Sequence, residues 1–219
     1  LNMLKKILIN IKINIFFVMF LLLISYQKAY AELVITVLGD SLVSGYGVTM
    51  QNSFPSILQK ELLKNNVDVK VINAGLSGDT SAGGLERLEW VLQDNPNILI
   101  LVLGSNDMLR GVNPESTKKN LEAIITKSIG RNITVLLCGM KSGSNMGKSY
   151  KEKFDAIYIS LKNRYPIYFY PFFLDGVALN PTLNQDDLMH PNKSGIKLIV
   201  KNIYPIVSNI IEDTLKKSD

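Results

Sequence analysis

The strongest constraint on the fold is a regular alternation of two hydrophobic patterns along the chain. Short apolar runs alternate with longer stretches whose apolar residues recur at helical spacing. Leu33–Leu38, Val67–Ile72, Ile98–Leu103, Ile133–Cys138 and Ile167–Tyr170 are the runs, each short enough to be a strand. Between them, Phe54–Asn65, Gly84–Gln93, Pro114–Ile129 and Lys148–Arg164 read as helices, and a last helix lies within Asn192–Leu215, interrupted or bent at Pro205. Ile98–Leu103 has no polar face, as a strand covered on both sides requires. Strand–helix alternation builds βαβ units, so the expectation is one doubly wound α/β domain around a parallel sheet.

In such a sheet the loops following the strands share one edge, where ligands bind. Three of these loops combine glycine with hydrogen-bonding side chains: Gly39-Asp40-Ser41-Leu42, Asn73 to Ser81 around Ser77-Gly78-Asp79-Thr80, and Gly104-Ser105-Asn106-Asp107. Taken singly, each is ordinary turn chemistry. Together at one edge they suggest a site, with Ser41 as candidate nucleophile. A serine hydroxyl needs a base, and the base needs an orienting group. The chain has a single histidine, His190, in Asp186-Asp187-Leu188-Met189-His190-Pro191. Asp187 is close enough in sequence to accept a hydrogen bond from its Nδ1–H. Donors for a developing oxyanion could come from the Ser41 and Gly78 backbone N–H groups and the Asn106 side chain.

Composition narrows the alternatives. The 219 residues are 47% hydrophobic and 20% charged, with a formal charge of +5. Lys5, Lys6, Lys12 and Lys28 lie in the first 31 residues, which hold no acid; the remainder carries 20 basic and 19 acidic residues. Charge therefore gives no reason to expect a nucleic-acid partner. The lone cysteine, Cys138, excludes an internal disulfide and reads as a buried strand residue. Lys5-Lys6, the apolar run Ile13 to Ile24 and Ala29-Tyr30-Ala31 have the layout of an export signal cut after Ala31. The expected division is thus a signal peptide at 1–31 and a catalytic domain at 32–219, exported to the periplasm or secreted, with no stable membrane span after cleavage. A retained anchor is the alternative.

The four blocks, Gly39-Asp40-Ser41-Leu42, Gly78 within Ser77-Gly78-Asp79-Thr80, Gly104-Ser105-Asn106-Asp107 and Asp187-Leu188-Met189-His190, resemble in kind and order those of the SGNH (GDSL) hydrolase superfamily. Asn73-Ala74, Leu109-Arg110-Gly111, Pro171-Phe172-Phe173 and His190-Pro191 are similar to its thioesterase I / lysophospholipase L1 / arylesterase branch, over essentially the whole chain after residue 31. The resemblance implies a flavodoxin-like three-layer α/β/α sandwich with a five-stranded parallel sheet in the order 2-1-3-4-5. It implies catalysis by Ser41, Asp187 and His190, with Ser41, Gly78 and Asn106 as the oxyanion hole. Asp40 and Asp107 would hold loop geometry, and Met108, Leu109 and Val112 would meet an acyl chain. No metal or cofactor is implied. The implied substrates are small acyl esters or thioesters, lysophospholipids among them. Ser105, often glycine in this branch, is a departure expected to narrow the site. Three other readings are weighed: a carbohydrate acetyl esterase on the same scaffold, a metal-assisted hydrolase using Asp40, Asp107, Asp186, Asp187 and His190, and a non-catalytic binding module.

Overall fold

A computed structural model describes residues 33–216 together with isolated positions among the first 32. Those isolated positions, Met3 and Phe17 among them, are helical and exposed and belong to a separate unit. The expected cleavage site and the apolar run before it lie almost wholly outside the described residues.

Five parallel strands form one sheet in the order β2-β1-β3-β4-β5. They are β1 (Leu33–Gly39), β2 (Val69–Gly75), β3 (Ile98–Val102), β4 (Thr134–Cys138) and β5 (Tyr168–Tyr170). The helices are α1 (Ser41–Ser44), α2 (Phe54–Lys64), α3 (Ser81–Glu86), α4 (Leu88–Val91), α5 (Ser105–Leu109), α6 (Pro114–Ile129), α7 (Lys148–Arg164) and α8 (Lys193–Lys216). Helix α2 packs against β2 and α8, while α6 packs against α3 and α7, giving the expected three layers. The chain goes from β1 outward to β2 and then returns to β3 on the other side of β1. That reversal opens a crevice between the ends of β1 and β3, the usual ligand position in such sheets.

All five residues of β3 are buried, which is why its sequence lacks alternation. The longest helix, α8, buries Ile196, Ile199, Val200, Ile203, Val207, Ile210 and Ile211 along one stripe. Each such side chain contributes about 1.5–3 kcal/mol on full burial. This stripe holds α8 together through Pro205: of the expected interruption or bend, the interruption is absent, and the helix runs continuously from Lys193 to Lys216. Pro205 is exposed, so the carbonyl one turn earlier that loses its hydrogen bond faces water.

Two boundaries differ from expectation. Strand β2 begins later and extends through Gly75, pairing Asn73, Ala74 and Gly75 with Val37, Leu38 and Gly39. The expected helix at 84–93 is two short helices that break at Arg87. Thr80 caps the first by accepting a hydrogen bond from the Gly83 N–H, so the helix starts at Ser81 despite the poor helix formers Gly83 and Gly84. The Arg87 side chain turns inward: Nε donates to Asp79 Oδ2 at 2.7 Å, and Nη2 donates to the carbonyls of Gly39 and Ala74 at 3.1 and 2.8 Å. One guanidinium thus satisfies a buried carboxylate, the last carbonyl of β1 and the penultimate carbonyl of β2.

Candidate active site

Strand β1 delivers Ser41 to the sheet edge as the first residue of α1. Asp40 caps this helix, its Oδ1 accepting from the Leu42 N–H at 3.0 Å. The other carboxylate oxygen accepts from the Ser105 hydroxyl and from Asn106 Nδ2, the latter at 3.2 Å. Burial pushes the Asp40 carboxyl above its ordinary value, and the hydrogen bonds from Ser105, Leu42 and Asn106 oppose that rise. Asp40 therefore joins the β1 loop to the β3 loop. The hydroxyl of Ser105, the residue at which this chain departs from the resemblance, is turned to Asp40.

The β3 loop is shaped from behind by α7. Tyr158, fully buried, donates its hydroxyl to the Leu103 carbonyl at 3.0 Å. Gly104 adopts φ +117°, and a Cβ there would lie 2.1 Å from that same hydroxyl, so only glycine fits. Asp107, also buried, accepts from the Ser81 N–H at 2.7 Å, the Ser81 hydroxyl at 2.5 Å and the Thr117 hydroxyl at 3.1 Å. It ties the β3 loop to the starts of α3 and α6. Both acids in the expected loop-holding role are engaged in that way.

The β2 loop turns at Leu76–Asp79, closed by the Asp79 N–H to the Leu76 carbonyl at 3.0 Å. Gly78 is at φ +82°, which a side chain would strain. Its carbonyl accepts from Arg110 Nη2 at 2.7 Å, a strut from the segment after α5. The Ser41 and Gly78 N–H groups have no protein acceptor among the described residues. Asn106 Nδ2 is oriented by Asp40 with one of its two hydrogens; the other is available. The three expected oxyanion donors thus stand on three loops of one edge.

His190 reaches that edge from the segment before α8. Its Nε2 is 2.9 Å from Ser41 Oγ, and its Nδ1 is 2.6 Å from Asp187 Oδ2. Asp187 Oδ1 also accepts the backbone N–H groups of Met189 and His190, each at 2.9 Å. The backbone bond from His190, followed by its side-chain bond, pulls the Asp187 carboxyl down from 3.8 to about 2. Asp187 is ionised near neutrality and can only accept, so Nδ1 carries the proton. Nε2 is then an acceptor, and the Ser41 hydroxyl donates to it. Leu188, inside this turn, holds a left-handed φ of +57°, a conformation costly for leucine that the Asp187 bonds help maintain.

Two positioning residues had no signal in the sequence. The Tyr46 ring lies 4.6 Å from the His190 ring, centroid to centroid, at 41°. Gln185 donates from Nε2 to the Tyr46 carbonyl at 2.8 Å and to the Pro191 carbonyl at 3.2 Å, while its backbone N–H donates to the His190 carbonyl at 2.8 Å. The loop after α1 is thereby clasped to the loop carrying the histidine. Among the three expected acyl-contact residues, Met108 packs half-buried against the core and Leu109 is exposed. Val112 is half-buried, and its carbonyl accepts from the Tyr150 hydroxyl at 2.9 Å.

A doubly wound sheet with a hydroxyl, an imidazole and a carboxylate in hydrogen-bonded series at its switch point defines the serine-hydrolase class. Residues 37–198 match the profile of the GDSL-like Lipase/Acylhydrolase family, and the chain belongs to that family. It is 35% identical over 196 residues to thioesterase 1/protease 1/lysophospholipase L1 of Escherichia coli K12, covering 87% of this chain and 92% of that one. It is 37% identical over 175 residues to an arylesterase of Vibrio mimicus, covering 80% and 86%. Among solved structures, TesA superposes with a TM-score of 0.75 at 34% identity, covering 78% of this chain and 96% of that one. The psychrotrophic esterase EstA from a Pseudoalteromonas species superposes at 0.78 with 30% identity, covering 82% and 98%. The chain is accordingly an ester-hydrolysing enzyme acting on small acyl substrates.

Proposed function

We propose that Ser41, His190 and Asp187 hydrolyse acyl esters or thioesters through an acyl-enzyme. Ser41 Oγ attacks the acyl carbonyl carbon as its proton passes to His190 Nε2. The carbonyl π pair moves to oxygen, and the oxyanion is met by the N–H groups of Ser41 and Gly78 and by Asn106 Nδ2. Collapse expels the alkoxide or thiolate, which takes the proton from Nε2. Water then attacks the acyl-enzyme with His190 again as base, releasing the acid and restoring Ser41. Asp187 keeps the proton on Nδ1 and stabilises the imidazolium formed in each half. The observation that carries this reading is the unbroken series from Ser41 Oγ to Nε2, 2.9 Å, and from Nδ1 to Asp187, 2.6 Å.

Met108, Leu109 and Val112 are assigned to the acyl chain; exposed Leu109 offers the most surface for it. Lysophospholipids belong to the proposed substrate range, in keeping with the name of the Escherichia coli relative. Residues 1–31 are assigned as an export signal and residues 32–219 as the enzyme domain, placing the product in the periplasm or outside the cell. None of the described helices is long and apolar enough to cross a membrane. Hydrolysis of short-chain nitrophenyl esters by the intact chain, lost in Ser41→Ala, tests the catalytic assignment. Near-full activity in that variant would overturn it.

A further inference from the structure

Away from the catalytic residues, α2 and α8 enclose a groove of about 630 Å³. Its floor includes Ile57, Val200 and Tyr204, and its walls carry Lys60, Lys193, Lys197 and Lys201. All four lysines are exposed, and none has an ion-pair partner among the described residues. Lys60 Nζ is held over the groove by the Gln51 carbonyl at 2.8 Å. Glu61, the one acid on the groove, is paired to Lys64 instead. Lys193, Lys197 and Lys201 follow at four-residue intervals, a rise of about 6 Å each. That is within a Debye length of about 8 Å, so their fields add.

The groove also has an orientation. Helix α8 begins three residues after His190, and Lys193 is its first residue. Leading into these two helices are exposed apolar side chains: Met50, 76% exposed, before α2, and Leu188 and Met189, 41% and 51% exposed, before α8. Basic walls, an apolar floor and exposed apolar side chains ahead of both helices, two of them between Asp187 and His190, suit a surface that is both anionic and greasy. No arginine lines the groove. Lysines, as flexible point charges, fit a diffuse array of phosphates better than one fixed phosphate or a base edge.

We propose that this face, Lys60, Lys193, Lys197 and Lys201 with Met50, Leu188 and Met189, docks on the surface of an anionic phospholipid bilayer and brings Ser41 to its edge. The choice of lipid rests on the acyl-ester reading; the docking itself does not require hydrolysis. The test uses the full chain carrying Ser41→Ala, with Met50→Cys labelled by an environment-sensitive fluorophore. Cys138 is buried, and burial raises its thiol far above its ordinary value, so the label goes to the introduced site. The fluorophore reports this face whether or not the N-terminal segment also holds the chain to the vesicle.

With phosphatidylglycerol-containing vesicles the emission shifts to the blue, and with pure phosphatidylcholine it does not. Each lysine changed to glutamine raises the lipid concentration at half-saturation about fivefold, and all four together raise it about a hundredfold or more. Lys197→Gln alone supplies the graded point should the quadruple variant fail to fold. No shift, an equal shift on neutral vesicles, a shift indifferent to the lysines, or preference for a single-stranded oligonucleotide over the vesicles would overturn the proposal. Failure of the ester reading would show separately, as absence of hydrolysis by the unsubstituted chain.

Discussion

Asp187→Asn separates the orienting role of this carboxylate from its role in shaping the turn. The asparagine Oδ1 can still accept the Met189 and His190 N–H groups, each now 2.9 Å from Asp187 Oδ1. The amide that replaces Oδ2 cannot accept from Nδ1–H. The ring is then driven to the tautomer protonated at Nε2, which cannot take the Ser41 proton. Two lines give the size. Asp187 faces an imidazolium in the transition state; at about 4 Å between charge centres and an effective dielectric of about 20, the lost attraction is about 4 kcal/mol. At about 1.4 kcal/mol per tenfold in rate, that is about 10³. Loss of an orienting carboxylate in a serine triad costs about 10⁴. The Asp187 side chain is 32% exposed, so water screens part of its charge, and the smaller figure applies. The assay is kcat and KM on a nitrophenyl ester, with a thermal melt to confirm the fold. The expectation is kcat down about a thousandfold with KM little changed. A loss below tenfold would refute the tautomer reasoning.

Other perturbations address the supports around this series. Arg87→Ala strands a buried carboxylate and two strand-end carbonyls; a loss of about 3–5 kcal/mol is expected, read as a drop of about 10 °C or more in Tm. Tyr46→Ala should lower kcat about two- to tenfold, the worth of one aromatic contact, while Tyr46→Phe stays near wild type. Acid should act through Asp187, whose folded value of about 2 lies below its ordinary 3.8. A depressed carboxylate stabilises the fold above its unfolded value and ceases to as pH falls through the folded one. The stability difference between wild type and Asp187→Asn, taken from urea midpoints, should therefore shrink as pH falls between about 4 and 2.

Much of this arrangement could be read from the chain because it rests on local signals. The apolar runs gave a doubly wound parallel sheet through connection rules, the strand order came with the resemblance to the SGNH (GDSL) superfamily, and the single histidine left one choice of base. Asp187 lies three residues from His190, so its contact is a turn property and local sequence suffices. The parts that could not be read depend on contacts between distant residues. Tyr46 and Gln185 meet across 139 positions, and neither has a residue type peculiar to that role. Arg87 breaks a helix because three acceptors at the sheet edge attract its guanidinium, an override of helical spacing by tertiary contact. Pro205 failed to interrupt α8 for the converse reason: burial of one stripe outweighs one missing hydrogen bond on the wet side.

The central claim is that Ser41 is activated by the His190–Asp187 pair. Reaction with a fluorophosphonate, followed by mass spectrometry of the digested chain, tests it most directly. A single adduct on the peptide bearing Ser41, formed rapidly by the intact chain and slowed by at least two orders of magnitude in His190→Ala, is the predicted result. An adduct on another serine, or labelling of Ser41 at an unchanged rate without His190, would contradict it.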